Sequence, residues 1–93
     1  MAKEGWSLEP KEWPHWWDWE LEISPHLLKR MLDRDFTEVD VRRMLEDATS
    51  HRPDIEPGRF VIESSHGGRP WEVIVEPDPA AQLLVVVSAY FVS

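Results

Sequence analysis

The residues best placed to do chemistry are His26, Arg30 and Arg34. They recur at i, i+4 and i+8, so in a helix they stack along one stripe that drifts slowly around the axis. An imidazole titrates near neutrality, and guanidiniums bind phosphate oxygens through forked donors. Together they could hold a phosphate and move a proton. Leu27, Leu28, Met31 and Leu32 occupy another stripe that can face a core. The alternative for the two arginines is simple pairing with an acidic surface, which contributes little.

Two helices and a sheet must position this stripe. Residues 19–23 alternate Trp-Glu-Leu-Glu-Ile, the pattern of a half-buried strand with Trp19, Leu21 and Ile23 inward. Ser24 is an N-cap and Pro25 suits the first helical position, so a helix should run to about Arg34. A second helix is expected over 37–48. Thr37 caps it, Asp40 can return the capping bond, Phe36 can staple onto Val41, and Val41, Met44, Leu45 and Ala48 form its buried stripe.

Pro53, Pro57 and Gly58 mark 51–58 as a loop. Three strands should follow. Residues 59–64 place Phe60 and Ile62 on one face, and Gly67-Gly68 marks a hairpin turn. Residues 71–76 place Trp71, Val73 and Val75 inward, and Pro77-Asp78-Pro79 marks a second turn. Residues 83–92 are apolar on both faces, as a covered central strand would be. The expected order is β-α-α-β-β-β: an α+β fold, an antiparallel sheet with two helices packed on one face.

The chain has 93 residues, enough for one domain with a modest core and no internal cofactor cavity. Cysteine is absent, so disulfides and thiolate metal sites are excluded. His15, His26, His51 and His66 lack close ligand spacing, and no metal or other cofactor is expected. No apolar run approaches the roughly 20 residues of a membrane helix, and no signal core opens the chain, which points to the cytoplasm. The net charge is −8, which opposes a broad nucleic-acid footprint. The acid is concentrated early: residues 1–24 carry two lysines against six carboxylates. The region around Arg30 is locally positive.

Trp6, Trp13, Trp16, Trp17 and Trp19 crowd the first nineteen residues. Residues 1–18 therefore read as a Trp-rich N-terminal segment ahead of a single α+β domain, 19–93. Its rings either complete a small core or form an aromatic docking surface, including one that crosses to a second subunit.

His26-x3-Arg30-Met31-x2-Arg34 is followed by an acid-rich second helix, by Gly68-Arg69-Pro70-Trp71-Glu72-Val73-Ile74-Val75, and by Val87-Ser88-Ala89-Tyr90. These motifs resemble the branch called domain of unknown function 4258, which is similar to the RelE/ParE and BrnT toxins. The family usually has Gly after the second arginine, where this chain has Asp35. The resemblance implies a RelE/ParE-like fold and a toxin of a toxin–antitoxin pair, often a metal-independent ribonuclease that inhibits translation. Its partners would be an antitoxin protein and RNA or the ribosome.

Cleavage of RNA needs a base for the 2′-hydroxyl, cations for the phosphate and an acid for the leaving oxygen. On that implication His26 transfers the proton, Arg30 and Arg34 hold the phosphate, and Arg69 adds a second cation. Glu72 and Tyr90 supply base, acid or orientation. The plainer alternatives are a solvated strand residue for Glu72, a core ring for Tyr90 and a solvated turn residue for His66. Two other functions compete: a non-catalytic acidic protein that docks on a basic partner protein, and a structural homodimer joined through the Trp-rich segment.

Overall fold

The computed structural model describes residues 13–92. Trp6 and the rest of the first twelve residues lie outside that range. The elements are β1 (Glu20–Ile23), α1 (Pro25–Arg34), α2 (Glu38–Glu46), β2 (Ser50–Pro53), β3 (Phe60–His66), β4 (Arg69–Asp78) and β5 (Leu83–Phe91). The five strands form one sheet in the order β1-β5-β4-β3-β2. The α+β class and the two helices agree with the sequence reading.

Local chemistry explains the helices. Ser24 Oγ accepts from the Leu27 amide at 3.1 Å and caps α1, with Pro25 at the first position. The same hydroxyl donates to the Val87 carbonyl at 2.9 Å, tying the cap to β5. Thr37 and Asp40 form the full capping box of α2, with Asp40 Oδ2 accepting from the Thr37 amide at 2.8 Å. α1 ends on Asp35 in the left-handed region (φ 61°, ψ 47°), the conformation that glycine adopts at least cost.

Both helices cover one face of the sheet. Leu27 and Met31 of α1 and Val41, Met44 and Leu45 of α2 share a core with Ile62, Val73, Val75, Leu84, Val86 and Ala89. Leu28 and Leu32 do not join it and are 52% and 86% exposed. The stripe expected from four apolar residues narrows to two because α1 lies near the rim of the sheet, where one flank of the helix meets solvent. The Trp segment crosses under the same face. Trp16 is buried and its ring lies 4.9 Å from that of Phe60, while Trp13 stacks on Trp17 at 4.4 Å.

Three expectations are corrected. The sheet is mixed, because β1 pairs parallel with β5 in the register Leu21↔Leu84 and Ile23↔Val86. A period-2 pattern fixes which residues face inward but carries no information about strand direction. Residues 51–53, expected in a loop, belong with Ser50 to the edge strand β2, paired antiparallel with β3. Its Ser-His-Arg-Pro sequence has no apolar alternation to reveal it. Finally, β4 runs through Pro77 to Asp78, and the turn comes later. The pairing with β3 ends at Phe60↔Val75, so the missing amide of Pro77 leaves no ladder partner unsatisfied.

The hairpin at Gly67-Gly68 forms as expected, with both glycines at positive φ (61° and 77°). One further irregularity shapes the site. The β4–β5 register shifts between Ile74 and Val75, so that Val73 faces Ala89 while Val75 faces Val86. This β-bulge at Val87 resets the alternation of β5. Val86 and Ala89 both point to the helices, and Tyr90 points to the opposite face beside Glu72. Among the described residues, no helix is long and apolar enough to cross a membrane.

Candidate functional site

A cleft of about 530 Å³ opens between the C-terminal half of α1 and the adjoining ends of β4 and β5. Arg30 and Arg34 project from α1, one helical turn apart. Arg69 enters from the start of β4, just after the Gly67-Gly68 turn. Phe36, Trp71, Phe91 and Tyr90 also line the cleft. The aromatic wall is held edge to face: Phe36 and Trp71 lie 5.4 Å apart, and Trp71 and Phe91 lie 5.9 Å apart. Arg69 sits over the Phe91 ring at 5.2 Å, a cation–π contact that steadies its guanidinium.

Charge pairing separates these arginines from Arg42, Arg52 and Arg59. Arg42 binds Glu38, Arg52 binds Glu63 and Glu72, and Arg59 binds Glu76. Among the described residues, none of Arg30, Arg34 and Arg69 has a carboxylate within ion-pair distance. In a chain of net charge −8, three unneutralised guanidiniums on one aromatic cleft make an anion-accepting surface. The expectation that Arg30 and Arg34 merely pair with the acidic surface is not what the structure contains.

The sequence-expected residues divide. Arg30, Arg34, Arg69 and Tyr90 come together at the cleft. His26 does not. It lies at the other end of α1, in a separate cavity with Ser24, Arg59, Glu76 and Asp78. The stripe from His26 to Arg34 covers two helical turns, about 12 Å, which is too long for one phosphate to bridge. Glu72 lies on the helix-free face of the sheet, where its Oε1 accepts the Tyr90 hydroxyl at 2.7 Å. That hydrogen bond, with partial burial and the nearby negative charge, raises the Tyr90 pKa and keeps the phenol protonated.

His66 is partnered rather than merely solvated. Its Nε2 meets Asp40 Oδ1 at 3.3 Å and its ring stands edge-on to Trp71 at 6.2 Å. It thereby ties the hairpin to the capping box of α2. The Asp40 carboxyl is held below the usual carboxylate range, first by the Thr37 amide and also by His66.

Sequence reasoning missed Phe36, Trp71 and Phe91 as cleft walls and Arg52 and Glu63 as partners of Glu72. One signal was present. Counting outward from the Gly67-Gly68 turn sets Glu63 directly opposite Glu72. Two facing carboxylates call for a cation between them. Among the described residues, no three His, Asp or Glu side chains gather closely enough to hold a metal ion.

The chain belongs to the family described as Domain of unknown function (DUF4258), whose model matches residues 23–91. The match spans every element from the end of β1 to β5 and includes the whole cleft. No curated protein and no solved structure matches the chain.

Proposed function

We propose that this DUF4258 protein is a toxin-like RNA-binding protein, kin to the RelE/ParE and BrnT toxins, that seats a single-stranded RNA phosphate in the arginine cleft. One observation carries the reading: Arg30, Arg34 and Arg69, all without carboxylate partners among the described residues, line one cleft walled by Phe36, Trp71 and Phe91. Single-stranded RNA offers phosphates to guanidiniums and unstacked bases to aromatic rings or to an arginine plane. Arg69, backed by Phe91, presents such a plane. The acidic remainder of the molecule confines the contact to this cleft and predicts modest affinity for free RNA.

Any cleavage step follows from the same placement. The 2′-hydroxyl attacks phosphorus and gives its proton to solvent water, the P–O5′ bond breaks, and the leaving oxygen takes a proton from an acid at the cleft rim. Arg30 and Arg34 would stabilise the charge that develops on the phosphoryl oxygens. Tyr90, kept protonated, would be the acid at the rim, and Glu72 is its hydrogen-bond acceptor. His26 takes no part in this arrangement.

The test is anisotropy of a labelled oligouridylate at low salt. Binding should weaken with salt along a log–log slope between about 0.7, for the one seated phosphate, and about 2, if each of the three arginines neutralises a phosphate of its own. Arg30→Ala and Arg34→Ala should each weaken it, while Arg42→Ala should not. Cleavage should be assayed with naked RNA and with translating ribosomes, with and without chelator. Failure of the wild-type protein to bind RNA in either setting would overturn the reading, and chelator-sensitive cleavage would overturn its metal-independent form.

A further inference from the structure

The helix-free face of the sheet carries a line of polar side chains that crosses four strands. Ser50 on β2 donates to Glu63 Oε1 on β3 at 2.7 Å. Arg52 on β2 binds Glu63 through Nη1 and reaches Glu72 Oε2 on β4 through Nη2 at 3.3 Å. Tyr90 on β5 donates to the other oxygen of Glu72 at 2.7 Å. Glu63 and Glu72 are direct cross-strand partners, an arrangement that repels when both are ionised. Arg52 lies between them and satisfies both with one planar fork. The line ends at Tyr90, which also stands on the rim of the arginine cleft.

We propose that Arg52 is a positioning residue for the cleft: it fixes Glu72, and Glu72 fixes the Tyr90 ring at the cleft rim. Arg52 itself does not line the cleft. It acts from β2, at the far edge of the sheet, through two hydrogen-bonded links. Without it Glu72 faces Glu63 unneutralised and turns away, and Tyr90 loses its acceptor. The functional half of this proposal rests on the cleft being the RNA site, whereas the structural half does not.

The two halves can be separated because Tyr90 is the chain's single tyrosine, so tyrosinate absorbance reports on it alone. Three groups act on the phenol. Glu72 and Asp54 hold its pKa up, and Arg52 pulls it down. Positioning and plain electrostatics therefore predict opposite signs for Arg52→Gln. If Arg52 holds Glu72 in place, the variant releases Glu72 and the midpoint falls toward that of a free phenol. If Arg52 only supplies charge, its loss leaves Glu72 bound and the midpoint rises.

The titration should be run on wild type, Arg52→Gln, Arg52→Lys and Arg59→Gln, with circular dichroism marking the onset of alkaline unfolding. A lowered midpoint in Arg52→Gln, a smaller shift in Arg52→Lys and none in Arg59→Gln is expected. Glu72→Gln, which keeps the shape and loses the charge, should lower it too and checks the Glu72–Tyr90 link, and Arg52→Lys decides the role of Arg52 by the sign of its shift if Arg52→Gln fails to fold. An unchanged or raised midpoint in Arg52→Gln, or an unchanged one in Glu72→Gln, overturns the proposal. In a second arm, Arg52→Gln should weaken oligouridylate binding by about three-fold or more, a coupling of ordinary size for linked side chains. Equal affinity overturns the functional half. A wild-type protein that binds no RNA counts against the RNA reading, and the titration still decides the relay.

Discussion

The helix-covered face of the sheet ends differently at its two extremes. At one end, beneath Phe60 and Leu84, residues 13–19 cross the sheet and close the core with indole rings: Trp16 is buried against Phe60, and Trp13 and Trp17 stack on each other. At the other end, beyond Trp71 and Phe91, no segment among the described residues crosses, and the rings there flank three arginines. Both ends are rich in aromatics. What differs is whether another stretch of chain covers them, so a similar residue supply seals one end and leaves the other able to receive a ligand.

This contrast predicts that the sealed end carries stability and the open end carries binding. The largest effect belongs to Trp16→Ala, which should cost about 3–5 kcal/mol in urea unfolding through loss of a buried ring. A loss below about 1 kcal/mol, the range of ordinary surface changes, would break the contrast. At the open end, the double variant Arg30→Ala with Arg34→Ala should weaken oligouridylate binding at least about ten-fold, about 1.4 kcal/mol. Its unfolding free energy should stay within about 0.5 kcal/mol of wild type, because neither side chain has an ion-pair partner to lose among the described residues. A large drop in stability would show that these cations belong to the frame.

Smaller effects lie at the junction of α1 and α2, which carries the cleft wall Phe36. Thr37→Ala should cost about 1 kcal/mol by removing the capping hydroxyl. Asp35→Gly should gain up to about 1 kcal/mol, since Asp35 holds a left-handed backbone that glycine adopts without a Cβ penalty. Either can be read from a shift in urea midpoint at constant slope. The smallest effect is on pH dependence. The Asp40 pKa is lowered in the fold, so its contribution is present at neutral pH. It is lost as pH falls below the usual carboxylate range and through the depressed value. Asp40→Asn should flatten that limb of the stability curve, and an unchanged acid limb would remove Asp40 from the capping account.

Much of the frame was legible in the sequence because its signals are local. Ser24 with Pro25, Thr37 with Asp40, and Gly67-Gly68 each act over a few residues, and each forms as read. The features that escaped are nonlocal. The parallel pairing of β1 depends on a strand 63 residues away, as Glu20↔Leu83 shows, and β2 is a strand only because β3 offers it an edge. Within the candidate site, the arginine pair on α1 follows from helical spacing. The distance of His26 from the cleft follows from the same spacing, since two turns of helix separate it from Arg34. The partition of Tyr90 from Phe91 depends on the bulge, and a perfect alternation would have assigned them to the opposite faces.

That bulge gives β5 an unusual genetic property. Val87 is the extra residue of the bulge. Deleting this single codon would close the bulge without shifting the strand's phase, because Val86 already pairs with Val75 and Ser88 with Ile74. Tyr90 would stay beside Glu72, and Phe91 would stay in the cleft wall. The bulge position can thus absorb a frame-preserving loss of three nucleotides without moving a hydroxyl from one side of the sheet to the other.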